Sequence, residues 1–404
     1  MTGDSGAGGS GAGGRDRALD AFRGATVAGM ILVNNPGSWQ HLYAPLAHAP
    51  WHGCTPTDLV FPFFLFAVGA SLALVMPALQ RLSAAGFARR IAQRSLLIFG
   101  IGLLLNAAPF VRWDEAGALV LRDPETLRLL GVLQRIALCF GVAAVIAWWG
   151  GVRAASWAAA GLLVGYWAAL WAFAQGPDPY SLEGFFGTAL DRALLGPAHL
   201  YQGEGVPFDP EGLASTLPAV AQVLLGFVVG VRLARRAADP GWWRPLLVAA
   251  AVLVAAGLVW SLALPLNKKI WTPSYVVFTT GLAVLAMVSL AASLDGRTAP
   301  GGADAGRDFR GPAGVLVRGC EAFGRNALLV FALSGLVPRL LSLWRLPAGD
   351  GGSTMTPLQW LYRHGFEPSF ADPRLASLAY AVVTVLAYGL LARALDRRGI
   401  YLRA

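Results

Sequence analysis

The sequence predicts an all-α integral membrane protein, a bundle of about ten transmembrane helices with both termini cytoplasmic. Three observations predict it. The 404 residues are 56% hydrophobic and only 14% charged, against about 25% charged in soluble domains. Apolar runs of about twenty residues, the length that crosses ~30 Å of hydrocarbon, recur along the chain. The basic residues between those runs are strongly asymmetric. This composition excludes a soluble cytoplasmic enzyme. The net charge of +9 comes almost wholly from Arg scattered in small clusters, a topology signature rather than a nucleic-acid stripe.

Residues 1–14 are mostly Gly, Ala and Ser with a single Asp; without the sections of a secretory signal they read as a disordered tail. Spans are then expected near 19–35, 58–79, 92–110, 129–149, 153–174, 216–235, 246–265, 273–293, 319–341 and 375–394. Alternate loops test that assignment. Twenty of the 32 basic residues fall on the side of the termini and ten on the other, with Arg135 and Arg325 inside spans. By the positive-inside rule both termini are cytoplasmic. The long polar excursions 35–57, 175–215 and 346–373 then face outward, where the chain is expected to work. The Gly-rich segment 295–314 reads as a cytoplasmic connector. Cys54, Cys139 and Cys320 have neither an even count nor metal-type spacing, so no disulfide framework is expected.

The first outward excursion is the most informative. Between Asn34 and Phe64 it holds His41, His48 and His52, three of the five histidines, and Pro36, Pro45, Pro50 and Pro56 break any long helix. Such a loop at the interface builds a pocket. Each histidine reads either as an interfacial hydrogen-bonding residue beside Trp39, Tyr43 and Trp51, or as a general base or acyl carrier. His48 and His52 have HxxxH spacing, but Pro50 and Gly53 oppose the helix a zinc site would need, and no metal is expected. Asp58 reads either as a helix cap or as the acid that orients a histidine.

Arg135 and Arg325 lie in apolar runs and line a site, or else form a structural ion pair or snorkel. Lys268 and Lys269, the only lysines, stand against the charge bias beside Trp271; phosphate binding and a headgroup contact are both open. Asp209 and Glu211 precede the sixth span and serve either as a cap and dipole partner or as contacts for a sugar hydroxyl or amine.

Seven motifs occur in a specific order: LDAFRG at Leu19, VNNPGSW at Val33, HAPWHGCTPTDLVFPFFLFAVG at His48, LLGVLQRIAL at Leu129, DPEGLASTLPA at Asp209, NKKIWTPSYV at Asn267 and GRNALLV at Gly324. Together they resemble the bacterial relatives of heparan-alpha-glucosaminide N-acetyltransferase, from Arg17 to the C-terminus. The resemblance implies that 15–404 is one transmembrane acyltransferase domain in a bacterial plasma (inner) membrane. It implies transfer of acetyl from cytoplasmic acetyl-CoA to a glucosamine-like amino sugar, or another envelope-glycan acceptor, on the far side. It places the catalytic role on His48, with Asp58 and Asn34 as site neighbours. His52 matches a position that is Asn in the lysosomal protein.

On this reading Arg94 and Arg135, on or near the cytoplasmic half, are expected to hold the CoA phosphates, with Lys268 and Lys269 as an outer alternative. Trp51, His52, Asp209 and Glu211 are candidates for the acceptor. Acetyl-CoA, an amino sugar or glycan and membrane lipid are the expected partners, with no nucleic acid; a homodimer stays open. The rival readings are a transporter or flippase for a sugar or lipid-linked substrate and a non-catalytic partner of an envelope-assembly complex.

Overall fold

The computed structural model describes residues 16–236, 239–295, 311–348 and 354–402. The expected N-terminal tail and most of the Gly-rich connector lie outside the described residues. Helix α1 (Arg17–Asn34) begins where the Asp16 carboxylate accepts the Leu19 N–H at 3.1 Å, occupying one of the orphan amides of the first turn. Helix α2 (Val60–Leu79) follows a 3₁₀ turn at Pro56–Leu59, and α3 (Ala84–Ala107) is capped by Ser83. An antiparallel hairpin, β1 (Val111–Trp113) with β2 (Leu119–Leu121), leads to α4 (Val132–Ala172).

At ~1.5 Å per residue, the 41 residues of α4 would be about 60 Å long if straight, twice the hydrocarbon thickness. The chain instead reverses at Gly151, whose φ of 57° and ψ of −146° are non-helical and open to glycine. The reversal brings both ends of α4 to one place. Arg135 near its start lies over the Trp271 ring, and the Tyr166 hydroxyl near its end donates to Ile270 O at 2.7 Å. The expected fourth and fifth spans are thus the two halves of α4.

The rest comprises α5 (Phe186–Leu195), α6 (Leu213–Ala234), α7 (Trp243–Trp260), α8 (Pro273–Asp295), α9 (Pro312–Arg325), α10 (Ala327–Leu341), α11 (Pro357–Leu361) and α12 (Pro373–Arg397). A two-residue ladder joins β3 (Leu346–Pro347) to β4 (Thr354–Met355), so the described residues are mostly helical with two small hairpins. Six helices are long and apolar enough to cross a membrane, or seven if a bent pair is one span. That pair, α9 and α10, departs from the single helix expected over 319–341. The two halves meet at 84°, and Asn326 between them has φ −118° and ψ 28°. The bend occurs where α9 touches α1 backbone to backbone. A Cβ on Gly324 would lie 1.8 Å from Asp20 O, and one on Gly24 would lie 1.7 Å from Cys320 O. Small residues at such crossings permit the approach. Helices α2 and α6 meet the same way at Gly69, where a Cβ would lie 1.9 Å from Val223 O.

Candidate active site

The loop after α1 is irregular but tied down. Gly37 N–H donates to Ser377 O, the Tyr43 hydroxyl to Asp372, the Trp51 indole to Tyr180 O and Gly53 N–H to Leu266 O. These ties present His48 to a cavity of about 240 Å³, also lined by Trp51, Asp58, Arg128, Tyr201, Glu204, Glu211, Lys268, Lys269 and Trp271.

Asp58 is the most constrained group. Its side chain is 1% exposed. Oδ2 accepts Ala49 N–H, Thr55 N–H and the Thr55 hydroxyl at 3.0–3.1 Å, and Oδ1 faces His48 Nδ1 at 2.6 Å. Asp58 closes a capping box with Thr55 and turns its other oxygen to the imidazole. The Tyr275 hydroxyl of α8 fixes the Asp58 carbonyl from below at 2.5 Å. A carboxylate can only accept, so Nδ1 carries the proton and Nε2 is left as the basic nitrogen. The His48 side chain is 42% exposed, accessible enough to meet a substrate.

Three cations line the cavity, and two are neutralised. Arg128 grips Asp209 through Nε and Nη2 at 2.8 and 2.7 Å, reaches Glu211 at 2.6 Å and lies over the Tyr201 ring. Desolvation opposes its charge, but the two carboxylates outweigh it and hold the guanidinium above its usual range. Lys269 pairs with Glu204 at 2.6 Å beside the Trp51 ring. Lys268 is different: Nζ is 3.0 Å from His48 Nδ1, 3.4 Å from His48 Nε2 and 3.5 Å from Asp58 Oδ1. Burial pulls this ammonium below the ordinary lysine range, with Asp58 and Glu211 opposing. Cys54 nearby is no nucleophile, since burial and then Asp58 push its thiol up to about 12 and the thiolate is the reactive form.

Of the other residues singled out by sequence, His52 sits beside the pocket with Nδ1 3.4 Å from Asn267 Nδ2, and burial lowers its pKa. Asn34 is not with His48. It lines a second cavity of about 340 Å³ with Asn106, Gln134 and Arg339, and Arg128 walls both. A third cavity, about 260 Å³, shares Leu133 and Phe331 with the second and is lined by Arg23, Arg94 and Arg325. Shared wall residues thus place the three next to one another, with Arg94 in the lining at one end and His48 at the other.

The placement of Arg135 with Arg94 on the cytoplasmic half is corrected. Arg135 is 1% exposed and only three residues into α4. It donates to Pro210 O at 2.7 Å and to the Ser215 hydroxyl and lies 5.1 Å from the Trp271 ring centre, at the His48 end. Arg128, Tyr201, Glu204 and Trp271 were not singled out from sequence. Their only signal was proximity to the motifs at Leu129, Asp209 and Asn267. Among the described residues no group of three or more His, Cys, Asp or Glu is placed to hold a metal ion.

A family described as "Heparan-alpha-glucosaminide N-acetyltransferase, catalytic" matches residues 15–258, more than half of the chain. The chain belongs to this family. Heparan-alpha-glucosaminide N-acetyltransferase of Homo sapiens is 27% identical over 345 residues, covering 68% of this chain and 48% of the human protein. The Mus musculus protein of the same name is 28% identical over 325 residues, 65% of this chain and 46% of the mouse protein. The chain therefore spans about half the length of these relatives. The acetyltransferase family model covers the His48 loop, Asp58, Arg94, Arg128 and the acids before α6, while Lys268 and Trp271 lie beyond it.

One structural carboxylate near the site gives a pH-dependent expectation. Asp191 of α5 is 2% exposed and accepts Leu213 N–H at the start of α6. Burial, against that hydrogen bond and with Asp209 adding to it, raises its pKa to about 6, compared with ~3.9 unfolded. The folded state thus favours the protonated acid, and that contribution to stability is lost as pH rises from about 4 through 6. Asp191→Asn keeps the acceptor and removes the charge. At pH 7.5 it is expected to unfold at higher temperature than the parent, by the equivalent of about 1–2 kcal/mol, with the difference vanishing near pH 4. A melting temperature at pH 7.5 below the parent's would contradict this.

Proposed function

We propose that the chain is a ten-span bacterial inner-membrane acetyltransferase that takes acetyl from cytoplasmic acetyl-CoA. The acceptor is an amino sugar, or another amine or hydroxyl of an envelope glycan, on the far side. Ten spans follow when the bent pair α9–α10 is counted as one, α4 as two, turning at Gly151, and α1 and α3 are added to the rest; α1 and α3 carry Arg17, Asp20, Arg23 and Arg89, Arg90, Arg94. The termini then share the side of the Arg94 cavity.

The observation that carries the reading is the His48–Asp58 pair opening onto a cavity. Asp58 fixes the Nδ1–H tautomer, so Nε2 takes the proton of the attacking amine, or attacks the thioester itself. The family's name supports an acetyl donor. At the far cavity the Arg94 guanidinium suits the phosphates of CoA, flanked by Arg23 and Arg325, which are paired with Asp20 and with Asp396 and Glu321. Arg94 Nε is buried without a partner and its guanidinium lies 4.5 Å from the Phe140 ring centre. The middle cavity with Asn34 gives the donor arm a path to His48. On the His48 side, Trp51 and Tyr201 offer apolar ring faces and Glu204 and Glu211 offer carboxylates to a sugar bearing an amine.

The test is purified protein with acetyl-labelled CoA and glucosamine. Labelled N-acetylglucosamine is the expected product. Acceptor movement across a sealed membrane without acetyl-CoA would favour transport and overturn the proposal.

A further inference from the structure

We infer that Lys268 is a catalytic residue of this site, the cation that holds the carbonyl oxygen of the acetyl group while negative charge develops on it. The inference rests on the acetyl-transfer reading above and deepens it.

The geometry argues for it in three steps. First, Nζ lies 3.0 and 3.4 Å from the two ring nitrogens of His48. An atom in the ring plane at those distances would collide with the carbon between them, so the ammonium lies over the ring face. It cannot donate to Nδ1, which already donates to Asp58. The ammonium thus lies beside the space where a reacting carbonyl would meet Nε2.

Second, elimination leaves Lys268 as the least committed cation, since its own ion pair, with Asp58 Oδ1 at 3.5 Å, is the longest of the three. Arg128 is spent on Asp209 and Glu211, and Lys269 on Glu204. Asp58, the carboxylate nearest Lys268, already accepts from His48, Ala49 and Thr55. Of the other side-chain and backbone N–H groups here, Ala49 N–H and the Trp51 indole are committed to Asp58 and Tyr180, whereas the Trp271 indole N–H has no partner but carries no charge.

Third, the turn that carries Lys268 is over-determined. Asn267 is fully buried; its side chain accepts Ile270 N–H, its N–H meets the Thr272 hydroxyl, and its carbonyl accepts Thr272 N–H. Trp271 is held at φ 53° with its ring buried between Phe61, Tyr275 and the Arg135 guanidinium. A bulky residue in the left-handed region is strain that surrounding structure must sustain, and such strain gathers at functional sites.

In the step itself, the acceptor amine forms a bond to the thioester carbon. The π pair moves to oxygen, which the Lys268 ammonium stabilises. As the C=O re-forms, the C–S bond breaks and the sulfur leaves as thiolate. The amine proton, taken by Nε2, is passed to that thiolate, so that thioester and amine give amide and thiol. Donors fixed where charge develops are worth about 10²–10³ in rate.

The experiment compares Lys268→Met, Lys268→Arg and the parent with two donors, acetyl-CoA and the phosphate-free thioester S-acetyl-N-acetylcysteamine. Thermal unfolding of each variant serves as the folding check. The expected result is a kcat lower by about 100-fold in Lys268→Met with both donors, little change in donor KM, and partial recovery in Lys268→Arg. A defect confined to the KM for acetyl-CoA and absent with the short thioester would make Lys268 a phosphate contact and overturn the inference, as would an unchanged kcat. Absence of turnover in the parent would overturn the acetyl-transfer reading and this inference with it, whereas an active parent beside an equally active Lys268→Met refutes the lysine alone.

Discussion

His48→Ala is expected to lower kcat for acetyl transfer by about 10²–10⁴, the range of a positioned general base, without loss of folding. The fold tolerates it because His48 is 42% exposed and packs on no core. Asp58 retains its three donors from Ala49 and Thr55. Asp58→Asn is expected to be nearly as damaging for a different reason. If its amide oxygen takes the three donors, its NH₂ faces His48 Nδ1 and donates to it, which moves the imidazole proton to Nε2 and removes the base. If the amide flips, the NH₂ meets three donors and the loop loses its anchor. Steady-state rates and melting temperatures of both variants check this. Full activity in His48→Ala would remove the histidine from the chemistry.

The second large effect is on stability. Arg128→Met leaves the Asp209 carboxylate, with a side chain 0% exposed, without its counter-ion. Breaking one side of a buried pair costs about 3–5 kcal/mol because the remaining charge is uncompensated. The variant is expected to unfold well below the parent in detergent, and Asp209→Asn in the same chain is expected to recover part of the loss. Independent, additive destabilisation by the two substitutions would show that the pair is not coupled.

These two predictions differ in how far sequence alone reaches them. The His48–Asp58 pair is separated by ten residues. Its signals are local: prolines that break helix, a Thr three residues before an acid, and an apolar run beginning just after. The Arg128 cluster joins residues 81 and 83 apart, and Lys268 meets His48 across 220 residues, so no local pattern announces either. Arg135 was misplaced for a related reason. An Arg inside an apolar run must find polar partners, but only the folded chain shows them at the start of α6. The helices themselves were largely legible because hydrophobic length is a sum over many residues. The break at Asn326 was not, because two adjacent polar residues, Arg325 and Asn326, in an apolar run are compatible with a continuous helix. The short hairpin β1–β2 has too few residues to carry a period.

On the proposed function, acetyl crosses the membrane past the three neighbouring cavities to His48. The most direct measurement uses sealed proteoliposomes with the protein in one orientation, labelled acetyl-CoA supplied to one face only and glucosamine to the other. The account predicts labelled N-acetylglucosamine when acetyl-CoA is on the Arg94 face and glucosamine on the His48 face, with none in the reverse arrangement. Product formed only when donor and acceptor share the His48 face would contradict it.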